Sequence, residues 1–175
     1  MPEPGTWPRN RTEMSSAISD SWNDYIGVLD GLGEHQWTMR VDDGGWSVKD
    51  HVAHVIAWEN VVVEVFQHGA PQYVTLQISE AEWALTGFRG ANALIHARKA
   101  GQSLRRVKNN RDITHARVMT LLAGLTDDDL ERPFTDFGAV FAEQPVLVEM
   151  IEYLAKHYDE HRTCISALID EGSTS

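Results

Sequence analysis

The residues best suited to chemistry in this chain are histidines. His157 and His161 stand four positions apart, and on an α-helix that spacing stacks both imidazoles on one face, able to converge on a single point. The apolar stripe Leu147, Ile151 and Leu154, continued at the same spacing, runs through both histidines to Ile165 and Leu168, which turns the pair toward a core seam. Imidazoles there are costly unless each nitrogen has a partner, and a divalent cation satisfies both at once. A third ligand must then come from another segment. His51 and His54 offer one, and His54, set among Ala53, Val55 and Ile56, is the stronger candidate. Three neutral imidazoles leave one coordination position open, as in catalytic rather than closed structural zinc sites, and leave the ion its full charge to acidify a water or polarise a thiol. On pattern alone, core histidines bonded to hydroxyls or carbonyls, or surface histidines, are the competing reading.

Other polar residues fall into line behind these. Cys164 follows His161 by three positions and could approach the site, but simple buried packing is the preferred expectation. Asp50 and Tyr153, each four positions before a candidate ligand, could orient an imidazole. His51 is open between that role and the surface, and His35, His68, His96 and His115 are expected in solvent.

Positioning such side chains requires long helices. Across residues 12–32, Ile18, Trp22, Tyr25, Leu29 and Leu32 recur at spacings of four and three, the period of a helix facing a bundle core. Ser47 with Asp50 makes the acidic analogue of a capping box, opening a second helix that continues to Gly69. Its apolar residues cover more than one face, so it should pack centrally. Residues 71–90 read as a long connection with one short helix, residues 91–125 as a third helix with a bend or exposed segment, and residues 126–141 as a short capped turn and an irregular link. The last helix runs from Gln144, with Pro145 in its first turn, to Gly172. The expected fold is therefore all-α, a four-helix bundle with long connections spanning residues 12–172 as a single domain behind a flexible lead-in over residues 1–11.

Composition narrows the function classes. The chain of 175 residues carries 26 acidic and 15 basic side chains for a net charge of −11, which predicts that phosphate backbones and anionic membranes are repelled and that nucleic acid is no partner. The run Arg98, Lys99, Arg105, Arg106, Lys108 and Arg111 is the local exception, read as a solvated helix face. A single cysteine permits no intrachain disulfide and points to a reducing cytoplasm. No apolar stretch reaches the roughly 20 residues of a membrane span, and the opening Met1-Pro2-Glu3-Pro4-Gly5 has no export leader.

Two stretches carry a family resemblance. Gly45-Trp46-Ser47-Val48-Lys49-Asp50-His51-Val52-Ala53-His54-Val55-Ile56-Ala57-Trp58-Glu59 resembles the start of the second helix of DinB-like proteins, and His157-Tyr158-Asp159-Glu160-His161-Arg162 resembles their last-helix H-x-x-x-H. The turn Leu125-Thr126-Asp127-Asp128-Asp129-Leu130 is similar to the one after their third helix. The resemblance implies the DinB/YfiT-like bundle and a metal held by His54, His157 and His161, zinc or nickel heading the candidates although iron and copper suit three imidazoles too. It also implies a homodimer, for which the aromatic connection around Trp83 and Phe88 is the expected place. The superfamily includes mycothiol-dependent isomerases and bacillithiol transferases, which implies a low-molecular-weight thiol cofactor. A neighbouring group, ClbS/DfsB-like bundles, is associated with protection against a reactive genotoxin. The functional expectation is a metal-dependent hydrolase or thiol S-transferase acting on a small electrophile. The alternatives are a non-catalytic stress-response or ligand-binding bundle with a structural metal, and a self-associating bundle.

Overall fold

The apolar stripes fold into helices wherever a cap and a stop bracket them. In the computed structural model, which describes residues 7–39, 41–140 and 142–170, α1 spans Arg11–Leu29, and the Asn10 side chain accepts from the Glu13 amide at its start. A short α2, Glu34–Thr38, seats the buried Trp37. The central helix α3 covers Val48–His68, opened by the reciprocal Ser47 and Asp50 cap and closed by Gly69 in the left-handed conformation. Such a cap satisfies amides that the helix leaves orphaned.

The connection between the second and third expected helices is more regular than its composition predicts. A single turn α4, Gln72–Thr75, leads to α5, Glu80–Lys99, a 20-residue helix kinked at Gly87, where φ is +56°. The single helix expected over residues 91–125 is two: α5 ends at Lys99, and α6, Leu104–Gly124, starts afresh from a Ser103 cap. Gly101 and Ser103 are the signal, a break followed by an N-cap. The short α7, Asp127–Glu131, and a 3-10 turn at Phe134–Phe137 follow. The last helix is continuous in three parts: α8, Val146–Met150, a π-helical stretch Ile151–Lys156, and α9, His157–Asp170. Pro145 caps this helix rather than sitting inside it.

Four long helices close a ring, in which α1 packs against α9 and α6, and α3 against the same two from the other side, with α5 laid outside α3. The central position expected for α3 holds, since Val52, Val55, Val61, Val62, Val63 and Val65 are all buried on different faces. Among the described residues there is no strand, only an isolated bridge between Pro133 and Pro145, so the all-α expectation stands. Two glycines pin the long connection to the end of α3: a Cβ on Gly138, at φ +109°, would sit 2.5 Å from the Gly69 backbone. Residues 1–6 of the expected lead-in and the expected helix end at Gly172 lie outside the described residues.

Candidate metal centre

The α3 and α9 helices bring three imidazoles together. His54 Nε2 lies 3.1 Å from His157 Nε2, which lies 3.0 Å from His161 Nε2. The three nitrogens form one compact group able to hold a metal ion. Zinc held at about 2.1 Å by such nitrogens would space them about 3.4 Å apart in a tetrahedral arrangement, a few tenths of an ångström beyond the 3.1 and 3.0 Å contacts. Burial pushes His54 down to about 2, helped by His157 and His51, and burial lowers His157 to about 4. His161 is pushed well below the ordinary histidine value by burial and then by His157 and His54. All three are neutral at neutral pH, the protonation state a metal requires.

The protons on these rings can be assigned from what surrounds them. His157 hydrogen-bonds to the backbone of Tyr153, in the π-helical stretch just before it, and a ring N–H serving that carbonyl is Nδ1–H. Nε2 of His157 is then a lone pair aimed at the cluster. His161 Nδ1 is 2.9 Å from His51 Nδ1, and His51 Nε2 is 3.2 Å from Asp42 Oδ2, close though out of line. A carboxylate favours the proton on His51 Nε2, which leaves His51 Nδ1 as acceptor and makes His161 Nδ1 the donor. With the proton so placed, Asp42 would act through two rings to leave a lone pair on His161 Nε2. Two lone pairs facing each other at 3.0 Å repel unless a cation or a proton lies between them.

Asp42 is the residue that helix periodicity misses. Its Oδ1 accepts from the amides of Gly44 and Trp46, both at 2.9 Å, and Gly45 at φ +81° completes the turn. The recoverable signal is Asp-Asp-Gly-Gly, since an aspartate that accepts from its own downstream amides favours such a turn. The turn also delivers Trp46, whose ring packs 5.0 Å from His54 and 5.4 Å from His51, and stacks on His96 at 4.7 Å.

Several expected placements change. His96 is therefore not in solvent, and neither is His115, which faces Glu59 at 3.1 Å and stacks on Trp22 at 3.6 Å. His35 and His68 are exposed as expected. Cys164 is exposed rather than buried, because α9 turns that position away from the α3 seam. Asp50 spends itself on the Ser47 cap and faces His96 at 3.8 Å instead of orienting His54. Tyr153 contributes its backbone to His157 while its hydroxyl meets Gln72 at 3.4 Å. Trp83 is buried, whereas Phe88 packs on Trp58 at 5.6 Å and remains 44% exposed, close in the chain to the exposed Leu85.

A cavity of about 540 Å³ opens in front of the cluster, with His54, His157 and His161 on its wall beside Trp46, Trp58 and Tyr153. Sequence comparison decides the family at this point: residues 17–165 match the DinB superfamily. The chain belongs to the DinB superfamily. No curated protein matches it by sequence. Solved structures share the fold. DfsB, described as a sibling lethal factor precursor, is 15% identical with a TM-score of 0.76, covering 96% of this chain and 99% of DfsB. A Streptococcus pneumoniae protein is 16% identical with a TM-score of 0.73, covering 93% of this chain and 92% of that one. The colibactin self-resistance protein ClbS, crystallised in complex with a dsDNA, is 14% identical with a TM-score of 0.68, covering 93% and 97%.

The ClbS complex overturns the expectation that nucleic acid is no partner. Net charge sums a whole surface, whereas phosphate contacts are local, so −11 overall does not exclude a basic patch from that role. In this chain the basic run is partly spent: Arg98 donates to the Leu76 and Gln77 carbonyls, Lys108 lies over Trp37, and Arg111 pairs with Asp112. Arg105 and Arg106 are exposed in the first turn of α6. Among the described residues no helix is long and apolar enough to cross a membrane.

Proposed function

We propose that this chain is a metal-dependent enzyme of the DinB superfamily, a hydrolase or thiol S-transferase acting on a small electrophilic molecule at His54, His157 and His161. The observation that carries the reading is the convergence of the His54, His157 and His161 ring nitrogens on the wall of an open cavity of about 540 Å³, within the usual range for small-molecule sites. A divalent ion bound there would supply charge to activate a water or a thiolate. The chain's own residues do the rest. Asp42 and His51 hold the His161 tautomer, the Tyr153 backbone holds that of His157, and Trp46 shields the imidazoles from bulk water.

The test is metal analysis of protein purified without an affinity tag, followed by a screen of small electrophiles with water or low-molecular-weight thiols as acceptor. About one equivalent of zinc or nickel, with turnover abolished in His157→Ala, is the expected result. Stoichiometry near zero in the unmutated protein at saturating metal overturns it.

A second reading is a protective bundle in which the metal is structural. It is favoured by the fold shared with DfsB and with ClbS, the latter crystallised on DNA, together with exposed Arg105 and Arg106, which have no carboxylate partner among the described residues. Fluorescence anisotropy with a duplex distinguishes it: binding that weakens in Arg105→Glu/Arg106→Glu, without turnover on any electrophile, supports this reading over the first.

A further inference from the structure

The cavity wall carries a charge pattern that the histidines do not use. On the same final helix as His157 and His161, Glu149, Glu152 and Glu160 also line the space, and no lysine or arginine is among the described residues that do. Glu152 pairs with Lys156, whose ammonium reaches out over the Trp7 ring at 4.9 Å from its centroid. Glu149 and Glu160 have no such partner among the described residues. Glu149 is half-buried, and desolvation, then the charge of Glu152, pushes its carboxyl above the ordinary value. A carboxyl in that position is short of a cation.

Glu152 and Glu160 are exposed and Glu149 is partly buried. They line one open cavity with aromatic rings and with His54, which is 3% exposed, has no partner at Nδ1 and faces the other imidazoles through Nε2. Trp58 stands at the centre of the aromatic wall, with Phe88 and Tyr153 each 5.6 Å from it. Its indole nitrogen donates to Asn92 at 3.2 Å, which fixes the ring in place. Ring faces attract cations, and Trp does so most strongly. A negative rim and an aromatic wall act in the same direction: both stabilise a positive group that has left water, and both penalise an anion.

We propose that the cavity takes a small molecule bearing a positive charge, an alkylammonium group seated between the aromatic wall and Glu149 and Glu160, with its reacting end toward His54, His157 and His161. Carboxylate-rich thiols are disfavoured by the same arrangement, so a thiol partner would be one without net negative charge. The orientation of the molecule rests on the reading of the histidines as the reactive end.

The experiment is calorimetric titration of the zinc-loaded full chain at low salt with three probes that are poor zinc ligands: benzyltrimethylammonium, benzyl alcohol and benzenesulfonate. The cation is expected to bind at least about tenfold more tightly than the alcohol, a difference of about 1.4 kcal/mol, with the sulfonate weaker still and the cation's affinity falling as salt rises. Glu149→Gln/Glu160→Gln should bring the preference down to about threefold or less, while Glu34→Gln, on exposed α2 outside the cavity, leaves it intact. If the double variant does not fold, the probe ranking and salt dependence of the unmutated protein decide. Equal affinity for the three probes, or preference for the sulfonate, overturns the proposal. Zinc content measured on the same samples separates the two readings. Zinc bound without cation preference sinks the cavity proposal alone, whereas cation preference without zinc uptake supports it and removes the metalloenzyme reading.

Discussion

Two polar clusters lie along the contact between α3 and α9, and they are built to opposite ends. In one, His157 Nε2 lies 3.1 Å from His54 Nε2 and 3.0 Å from His161 Nε2 on a cavity wall. In the other, five positions further along α3, the buried Glu59 accepts from the Tyr158 hydroxyl at 2.7 Å and faces His115 Nδ1 at 3.1 Å. Trp22 seals that side by stacking on His115, and Tyr25 packs on Tyr158. Donors meet an acceptor at Glu59, so that cluster is nearly complete by itself. At the histidines ring nitrogens face ring nitrogens and His54 Nδ1 has no partner, an arrangement that the proposed metal ion would complete. What separates a structural polar core from a ligand site here is the match of donors to acceptors, since both are largely buried and both contain histidine.

The sharpest way to break this contrast is His157→Ala, which removes the ligand shared by both short nitrogen contacts. Metal affinity should fall by more than about a thousandfold, measured by competition with a chromophoric chelator, because two imidazoles from different helices hold zinc poorly. The same change at the sealed cluster should show in folding instead. Glu59→Ala leaves the Tyr158 hydroxyl and His115 unpaired in the core and should cost about 3 kcal/mol in urea unfolding, with metal affinity unchanged once the protein is folded. Asp42→Asn tests the relay: if it sets the His161 tautomer through His51, metal affinity should fall about 10- to 100-fold while the turn hydrogen bonds to Oδ1 persist, and an unchanged affinity would refute the relay. Ser47→Ala removes the cap of α3 and should destabilise by about 1 kcal/mol, equally with and without metal.

A titration sharpens the comparison further. Burial raises the Glu59 carboxyl above its ordinary 4.5, opposed by its bonds to His115 and Tyr158. A carboxyl whose pKa is higher in the fold than in the unfolded chain favours folding below the unfolded value, and that contribution is lost as pH rises through the folded value. Glu59→Gln should therefore lose less stability than the unmutated protein as pH rises above 4.5, with urea midpoints across that range as the measurement.

Much of the site was legible in the chain because helical periodicity is local. The stripe from Leu147 to Leu168 turned His157 and His161 inward, and the Ser47 cap placed His54 nearly two turns into α3. The same logic failed where a side chain's partner belongs to another segment. Cys164 shares a three-residue spacing with His161 yet is exposed, because a helix face is wider than the seam it fills. His96 and His115 sit in polar stretches and are nonetheless packed, each against a tryptophan from elsewhere. The break between α5 and α6 lies at Gly101 and the Ser103 cap, and the buried positions Ala91 and Ile95 before it do not continue in one stripe with Val107, Val118 and Leu122 after it.

By itself the sequence determined the all-α class, the inward faces of α1, α3 and the last helix, and the choice of the three histidines, because spacing on a helix needs only the backbone's own geometry. Only the tertiary structure decided that Asp42 and His51 stand behind His161, that Glu149 and Glu160 face an aromatic wall, and that Glu59 is sealed while His54 is open. Those facts depend on which loop end meets which helix face, and residues far apart in the chain carry no local signal of the partner they will meet.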